Sequence, residues 1–178
     1  RFPNLRSSLL VYVDLELWPL PSIGITRLPR YYEPLRHPIG PSLIVADVST
    51  EGAVAGQINA LSVYDLGDIT FGRPSRVTCV VSPGRGTFVM VERESEMAGR
   101  IHNKGFLIMR GFLANRFGQN RANALHASLT FEQLYGDIDG DSASSTELYA
   151  LLSALSEQGI DQRIAVTGSV DQFGRVQP

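Results

Sequence analysis

The residues whose types and spacing best suit chemistry lie in one stretch, Tyr135-Gly136-Asp137-Ile138-Asp139-Gly140-Asp141-Ser142-Ala143-Ser144-Ser145-Thr146-Glu147. A strand-like run, Ala124 to Phe131, leads in, and a helix-like run, Leu148 to Leu155, leads out. A serine at such a corner has its hydroxyl lifted clear of the backbone, close to the positive end of a helix dipole. An attacking serine needs this setting, because backbone N–H groups can meet the oxyanion it creates. The same placement also suits a helix N-cap, where a serine oxygen accepts from the first free amides. Both readings of Ser142 stay open on pattern alone.

The partners such a serine would need are few. A Ser-His-Asp arrangement requires an imidazole, and His126, on the polar face of the incoming strand, is the one reasonable candidate. A lone histidine there also reads as solvated or simply hydrogen-bonded. His37 falls in a proline-rich segment, and His102 falls in a predicted helix with no partner suggested by spacing. A Ser-Lys dyad requires a lysine made neutral by desolvation. Lys104 is the single lysine against fifteen arginines, and its charged neighbours suit a solvated helix position better. Asp137, Asp139 and Asp141 alternate as calcium ligands do, but the glycine comes one residue early and position twelve is Leu148, so no metal site is expected. No P-loop signature occurs, so ATP hydrolysis by that route is not expected of this chain.

The elements that must hold this turn follow from composition and periodicity. At 178 residues and 43% hydrophobic, the chain can bury one substantial core with an appendage. A net charge of -2 argues against general binding of nucleic acid, and the single cysteine, Cys79, excludes an internal disulfide framework and fits a reducing, cytoplasmic compartment. No apolar run reaches membrane-spanning length, and no membrane contact is expected. Charge is unevenly spread: from Ala122 to Gln162 there are seven acidic residues and no basic one, which makes the focal turn electronegative. The chain begins with Arg1 and reads as a piece of something longer.

Residues 1–47 carry seven of the ten prolines and are expected to be an arm or linker, with a short strand at Leu9 to Leu17 and Trp18, Tyr31 and Tyr32 as anchors. From residue 48 to 178 the pattern predicts an α+β domain of mixed β-sheets with packed helices. Strands are expected at Val54 to Val63 and Arg76 to Ser82, and a hairpin turn at Pro83-Gly84-Arg85-Gly86 leads to another at Thr87 to Glu92. Met97, Ile101, Ile108 and Phe112 form one helical stripe, interrupted by Gly105 and Gly111 and closed at Gly118. Leu125, Ala127, Leu129 and Phe131 alternate inward against His126, Ser128 and Thr130. Leu148, Leu151, Leu152 and Leu155 make the next buried stripe. Ile164, Val166 and Val170 face inward, with Ala165, Thr167 and Ser169 outward.

Several motifs in order resemble one known family. Gly140-Asp141-Ser142-Ala143-Ser144 is similar to the nucleophile motif of the Lon proteases, in the archaeal-type B and related C branches that read G-D-S-A-S. Gly56 to Val63, Tyr64 to Asp68, Phe71 to Arg76, Gly99 to Gly105 and Ala165 to Val170 resemble successive segments of the same proteolytic domain, covering about Val48 to Pro178. The resemblance implies the Lon proteolytic-domain fold and a serine endopeptidase with a Ser-Lys dyad. It implies Ser142 as nucleophile, and Thr167 as a threonine that hydrogen-bonds near the dyad. Asp139 matches an acidic position that in some members contacts the lysine or occludes the site. The lysine itself is implied about seven residues beyond Pro178. Substrate is expected to add as an extended strand near the focal turn, against Thr130, Phe131 and Tyr135, with Gly140 and Asp141 beside it. The resemblance further implies unfolded protein or peptide substrates, a hexameric ring, and no cofactor here, with ATP and magnesium needed only by an AAA+ module elsewhere in the parent. Two other readings are an inactive binding or scaffold module of the same fold, and a serine hydrolase using His126.

Overall fold

The computed structural model describes residues 24–27, 48–65, 70–119, 124–134 and 136–177. Its elements run β1 (Gly24–Arg27), β2 (Ala53–Val54), β3 (Gln57–Asp65), β4 (Thr70–Pro83), β5 (Thr87–Met90), α1 (Val91–Glu94), α2 (Arg100–Phe117), β6 (Leu125–Phe131), α3 (Ser144–Ser156), β7 (Ile160–Asp161), β8 (Ile164–Thr167), β9 (Ser169–Val170) and β10 (Val176–Gln177). This is a mixed α+β arrangement. Six strands form one sheet in the order β1-β8-β3-β4-β6-β5, and β10-β9 and β2-β7 form two small ribbons. The β3–β8 and β5–β6 pairs are parallel and the rest of the large sheet is antiparallel.

Alternation in β6 works as the sequence predicts. Ala127, Leu129 and Phe131 are buried, and His126, Ser128 and Thr130 are half-exposed on the other face. α3 lies on β3, β4 and β8, and α2 packs on α3 and β9. The core between them joins Ile58, Val77, Leu129 and Val166 of the sheet to Phe106 and Met109 of α2 and to Leu148 and Leu151 of α3.

Three expectations change. Pro83-Gly84-Arg85-Gly86 does not close a β4–β5 hairpin, because β6 inserts between those strands. The Gly84 and Gly86 amides instead bond the carbonyls of Ala124 and Leu125. A Cβ on Gly84 would sit 2.7 Å from the His126 nitrogen, so the turn needs glycine to reach β6. The buried face of α2 is His102, Gly105, Phe106, Met109 and Leu113, one step round from the expected stripe. Met97 precedes the helix and Ile101 is 52% exposed. Finally, Ala165 and Ser169 are buried along with Val166 and Val170, because the β8–β9 segment is covered on both faces. Of the proline-rich arm, only Gly24–Arg27 is described, pairing antiparallel with β8; the strand expected at Leu9 to Leu17 and the anchors Trp18, Tyr31 and Tyr32 lie outside the described residues.

Candidate active site

The turn that carries Ser142 is held from two sides. On one side is the N-terminus of α2. Ile138 donates to the Met97 carbonyl at 2.9 Å and accepts from the Gly99 amide at 2.7 Å, so the chain runs beside the start of that helix. The first turn of a helix leaves free amides, and the N-cap here is Gly99, which has no side chain to satisfy them. Asp139 does so from across the gap: its Oδ1 accepts from Ile101 N at 3.0 Å and His102 N at 3.1 Å. The amides of Gly140, His102 and Ile101 together hold this exposed carboxyl below the usual carboxylate range. Gly99 makes the approach possible, since a Cβ there would fall on the Asp139 carboxylate.

Gly140 then takes φ +93°, a backbone region that side chains rarely enter. Its carbonyl faces His102 Nδ1 at 3.2 Å. Asp141 passes so close to α2 that a Cβ on Gly105 would lie 3.0 Å from the Asp141 Cβ. The Asp141 carbonyl receives both the amide and the hydroxyl of Ser144, at 3.0 and 2.9 Å, and α3 begins.

On the other side is the break between β8 and β9 at Gly168. Gly168 donates to the Ser142 carbonyl at 2.6 Å and accepts from the Ser145 amide at 3.1 Å. Thr146 Oγ1 donates to the Val166 carbonyl at 3.0 Å, and the Val170 amide donates to Ser144 Oγ at 3.1 Å. Thr167, half-buried, lies one residue before the Gly168 amide that holds Ser142. The fold therefore brings Ser142, Thr167, Gly140 and Asp141 into one neighbourhood.

Ser142 itself is exposed. Its carbonyl is bonded, while among the described residues no partner engages its hydroxyl, its amide or the amide of Ala143. It does not cap α3: the N-cap is Ala143, with no side-chain cap bond. Among the described residues, a hydroxyl without a partner stands next to N–H donors without partners at the positive end of a 13-residue helix.

Beneath the turn sits a buried ionisable cluster that the sequence did not indicate. His102 Nε2 and Glu147 Oε1 are 3.3 Å apart, each residue 1% exposed, in an ion-pair contact whose geometry falls short of a full hydrogen bond. Glu92, also buried, accepts from Thr130 Oγ1 at 2.8 Å and from Phe131 N at 2.7 Å. Burial favours neutral His102, but the Glu147 carboxylate, with smaller help from the Gly140 carbonyl and Glu92, outweighs it and raises the imidazole pKa. Burial pushes Glu147 up as well, against the pull of His102. The pair thus holds a proton more tightly than its members would in water.

The remaining sequence candidates fall as follows. Thr130 and Phe131 offer no open strand edge: the Phe131 amide is taken by Glu92, its ring is 4% exposed, and Thr130 pairs with Thr78 of β4. Tyr135 lies outside the described residues. His126 pairs with Ser82 and Thr87 at the far end of β6 from the focal turn. Lys104 is exposed on α2. No group of three His, Cys, Asp or Glu suited to a metal occurs among the described residues, and among them no helix is long and apolar enough to cross a membrane.

Comparison with known proteins bears on what this site does. A Lon protease homolog of Escherichia coli strain K12 is 52% identical over 133 residues, 74% of this chain and 23% of that protein. A Lon protease homolog of Haemophilus influenzae is 48% identical over 131 residues, 72% of this chain and 22% of that protein. An archaeal Lon protease of Archaeoglobus fulgidus is 28% identical over 130 residues, 72% and 20% respectively. The chain spans under a quarter of the length of each of these relatives. No protein-family model matches it.

Proposed function

We propose, from the premise that most of this chain belongs to the Lon protease family, that it is the proteolytic domain of a serine endopeptidase in which Ser142 is the nucleophile. The observation that carries the reading is the exposed, unengaged Ser142 hydroxyl on a turn pinned to α2 and to the β8–β9 break. The general base is a lysine amine supplied from beyond residue 178. Ser142 Oγ passes its proton to that amine and bonds to the scissile carbonyl carbon. In this reading the amides of Ser142 and Ala143 receive the oxyanion. The peptide C–N bond breaks as the amine returns the proton to the leaving nitrogen, and water then cleaves the ester. Thr167, one residue before the Gly168 amide, hydrogen-bonds the incoming amine in this reading, a role the resemblance supports. The domain takes the Lon proteolytic-domain fold and works on unfolded protein or peptide in a cytoplasmic hexameric ring driven by an ATPase module; the resemblance supports this part.

A fluorophosphonate probe on the full-length parent protein tests it. Labelling that requires both Ser142 and the downstream lysine supports the reading. Labelling that survives Ser142→Ala, or that His126→Ala abolishes, refutes it, and no labelling at all favours an inactive scaffold.

A further inference from the structure

The buried face of α2 at His102 and Gly105 is shaped for the Ser142 turn more than for apolar packing. A glycine at 105 admits Asp141, and an imidazole at 102 stands where a leucine would fill space with no polar group to desolvate. Burying His102 against Glu147 is costly, and such a pair often stabilises a fold less than apolar residues of the same size. Its value must then lie in what it positions. The ring touches both ends of the segment around the nucleophile: Nδ1 meets the Gly140 carbonyl two residues before Ser142, and Nε2 meets Glu147 five residues after it. The Phe131 ring, packed edge-on with centroids 5.8 Å apart, fixes the imidazole plane.

We propose that His102 is a positioning residue for Ser142, a two-ended strut that sets the distance between the Gly140 turn and the first turns of α3. The proposal rests on Ser142 being the nucleophile. The Gly140 carbonyl can only accept, so Nδ1 must carry a hydrogen. Nε2 and Glu147 then share one further proton, as an imidazolium beside a carboxylate or a neutral ring beside a carboxylic acid. Loss of that proton leaves an acceptor facing an acceptor and pushes the two ends of the turn apart. The charged groups facing the ring are Glu147 of α3 and Glu92 of α1; Asp139 of the turn binds its backbone amide. β6 contributes only the Phe131 ring.

The test uses the full-length parent with His102→Asn, whose amide places a donor near Nδ1, and His102→Gln, which reaches toward Nε2. Two readouts are taken: the fluorophosphonate labelling rate of Ser142 across pH, and hydrogen exchange of the amides from Gly140 to Ala143. Ser142 follows the Gly140 end by two residues and precedes the Glu147 end by five. The strut therefore predicts that Asn, which keeps the Gly140 end, retains most of the labelling, while Gln, which loses it, slows labelling by about 10- to 100-fold through misplacement of the hydroxyl and speeds exchange at the turn. Equal behaviour of the two variants, or labelling lost only in proportion to folded protein, overturns it. Should both variants fail to fold, Glu147→Gln decides: the strut predicts that the labelling pH profile loses the ionisation of the proton shared by His102 and Glu147, and an unchanged profile overturns it. Should wild type not label, the nucleophile reading falls, and exchange alone judges the strut: faster turn exchange in Gln than in Asn supports it, and equal exchange overturns it.

Discussion

Three serines within four residues should respond to alanine in three different ways. Ser144 is buried, and its hydroxyl both donates to the Asp141 carbonyl and accepts from the Val170 amide. Ser144→Ala leaves the Asp141 carbonyl with the Ser144 amide as donor, but strands the amide of Val170, itself 2% exposed. An unsatisfied buried donor costs about 1–3 kcal/mol. Taking about 2 kcal/mol, and about 2–4 °C per kcal/mol for a chain of this size, the melting point should fall by about 4–8 °C. Ser145 is equally buried, yet among the described residues its hydroxyl has no partner. Ser145→Ala removes a desolvated polar group and should change stability by less than about 0.5 kcal/mol, or raise it slightly. Ser142→Ala removes an exposed, unengaged hydroxyl, so stability should again stay within about 0.5 kcal/mol while fluorophosphonate labelling disappears.

Urea titration of the three variants beside the labelling assay reads both quantities. The pattern to expect is large, null, null in stability, and slowed, unchanged, abolished in labelling. If Ser142→Ala destabilises as much as Ser144→Ala, the Ser142 hydroxyl has a structural bond and is not free to attack. If Ser144→Ala is silent, the tie between the turn and Val170 does not carry weight in solution.

The buried pair makes a pH prediction. Both His102 and Glu147 are raised above their ordinary 6.5 and 4.5, so their stabilising contributions are present below those values and lost as pH rises through the folded ones; unfolding midpoints should fall on the alkaline side, and Glu147→Gln should flatten the curve. Asp139 is lowered, so its contribution is lost as pH drops through its folded value, and Asp139→Ala should remove that acid limb from the same titration. Asp139→Asn keeps an oxygen for the Ile101 and His102 amides; a labelling pH profile shifted in Asn but a slower rate only in Ala would separate the effect of charge from that of the cap. Gly105→Ala should gain about 1 kcal/mol of helix propensity and lose about 1–3 kcal/mol to overpacking on Asp141, so labelling should fall while the melting point drops by at most about 8 °C.

What the sequence made legible were features set by neighbours along the chain. The alternation of β6, the leucines of α3 and the strand-to-helix corner at Ser142 all depend on residues within a few positions. The misreadings concern partners far apart. The stripe Met97-Ile101-Ile108-Phe112 is apolar, yet α2 turns His102 and Gly105 inward, because what they meet is Glu147, 45 residues on, and Asp141, 36 residues on. His102 had no visible partner for the same reason. Pro83-Gly84-Arg85-Gly86 carries ordinary turn chemistry, and nothing local says that a strand forty residues later will occupy the hairpin's place. Thr130 and Phe131 were expected to offer an edge because the later capture of their polar groups by Glu92 leaves no periodic trace.

The acidic character of the turn posed the main electrostatic difficulty for an amine base, since nearby carboxylates hold an amine in its charged form. The structure changes the weight of two of these carboxylates, Asp139 and Glu147. Asp139 spends its charge on the first amides of α2, where a helix N-terminus offsets it. Glu147 is buried, and burial drives it toward the neutral acid or toward a shared proton with His102. An approaching amine would therefore meet the Ser142 and Ala143 amides at the start of α3 with the opposing field of Asp139 and Glu147 reduced. Those positive N–H groups favour its neutral form, the form that can accept a proton from Ser142. A Glu147→Gln variant isolates this step. If buried Glu147 were fully anionic and acting on the amine through space, the substitution would lower the amine's own apparent pKa in the labelling profile; if it is neutralised through His102, the amine's limb should stay in place while only the ionisation of the His102–Glu147 pair disappears and the stability curve flattens.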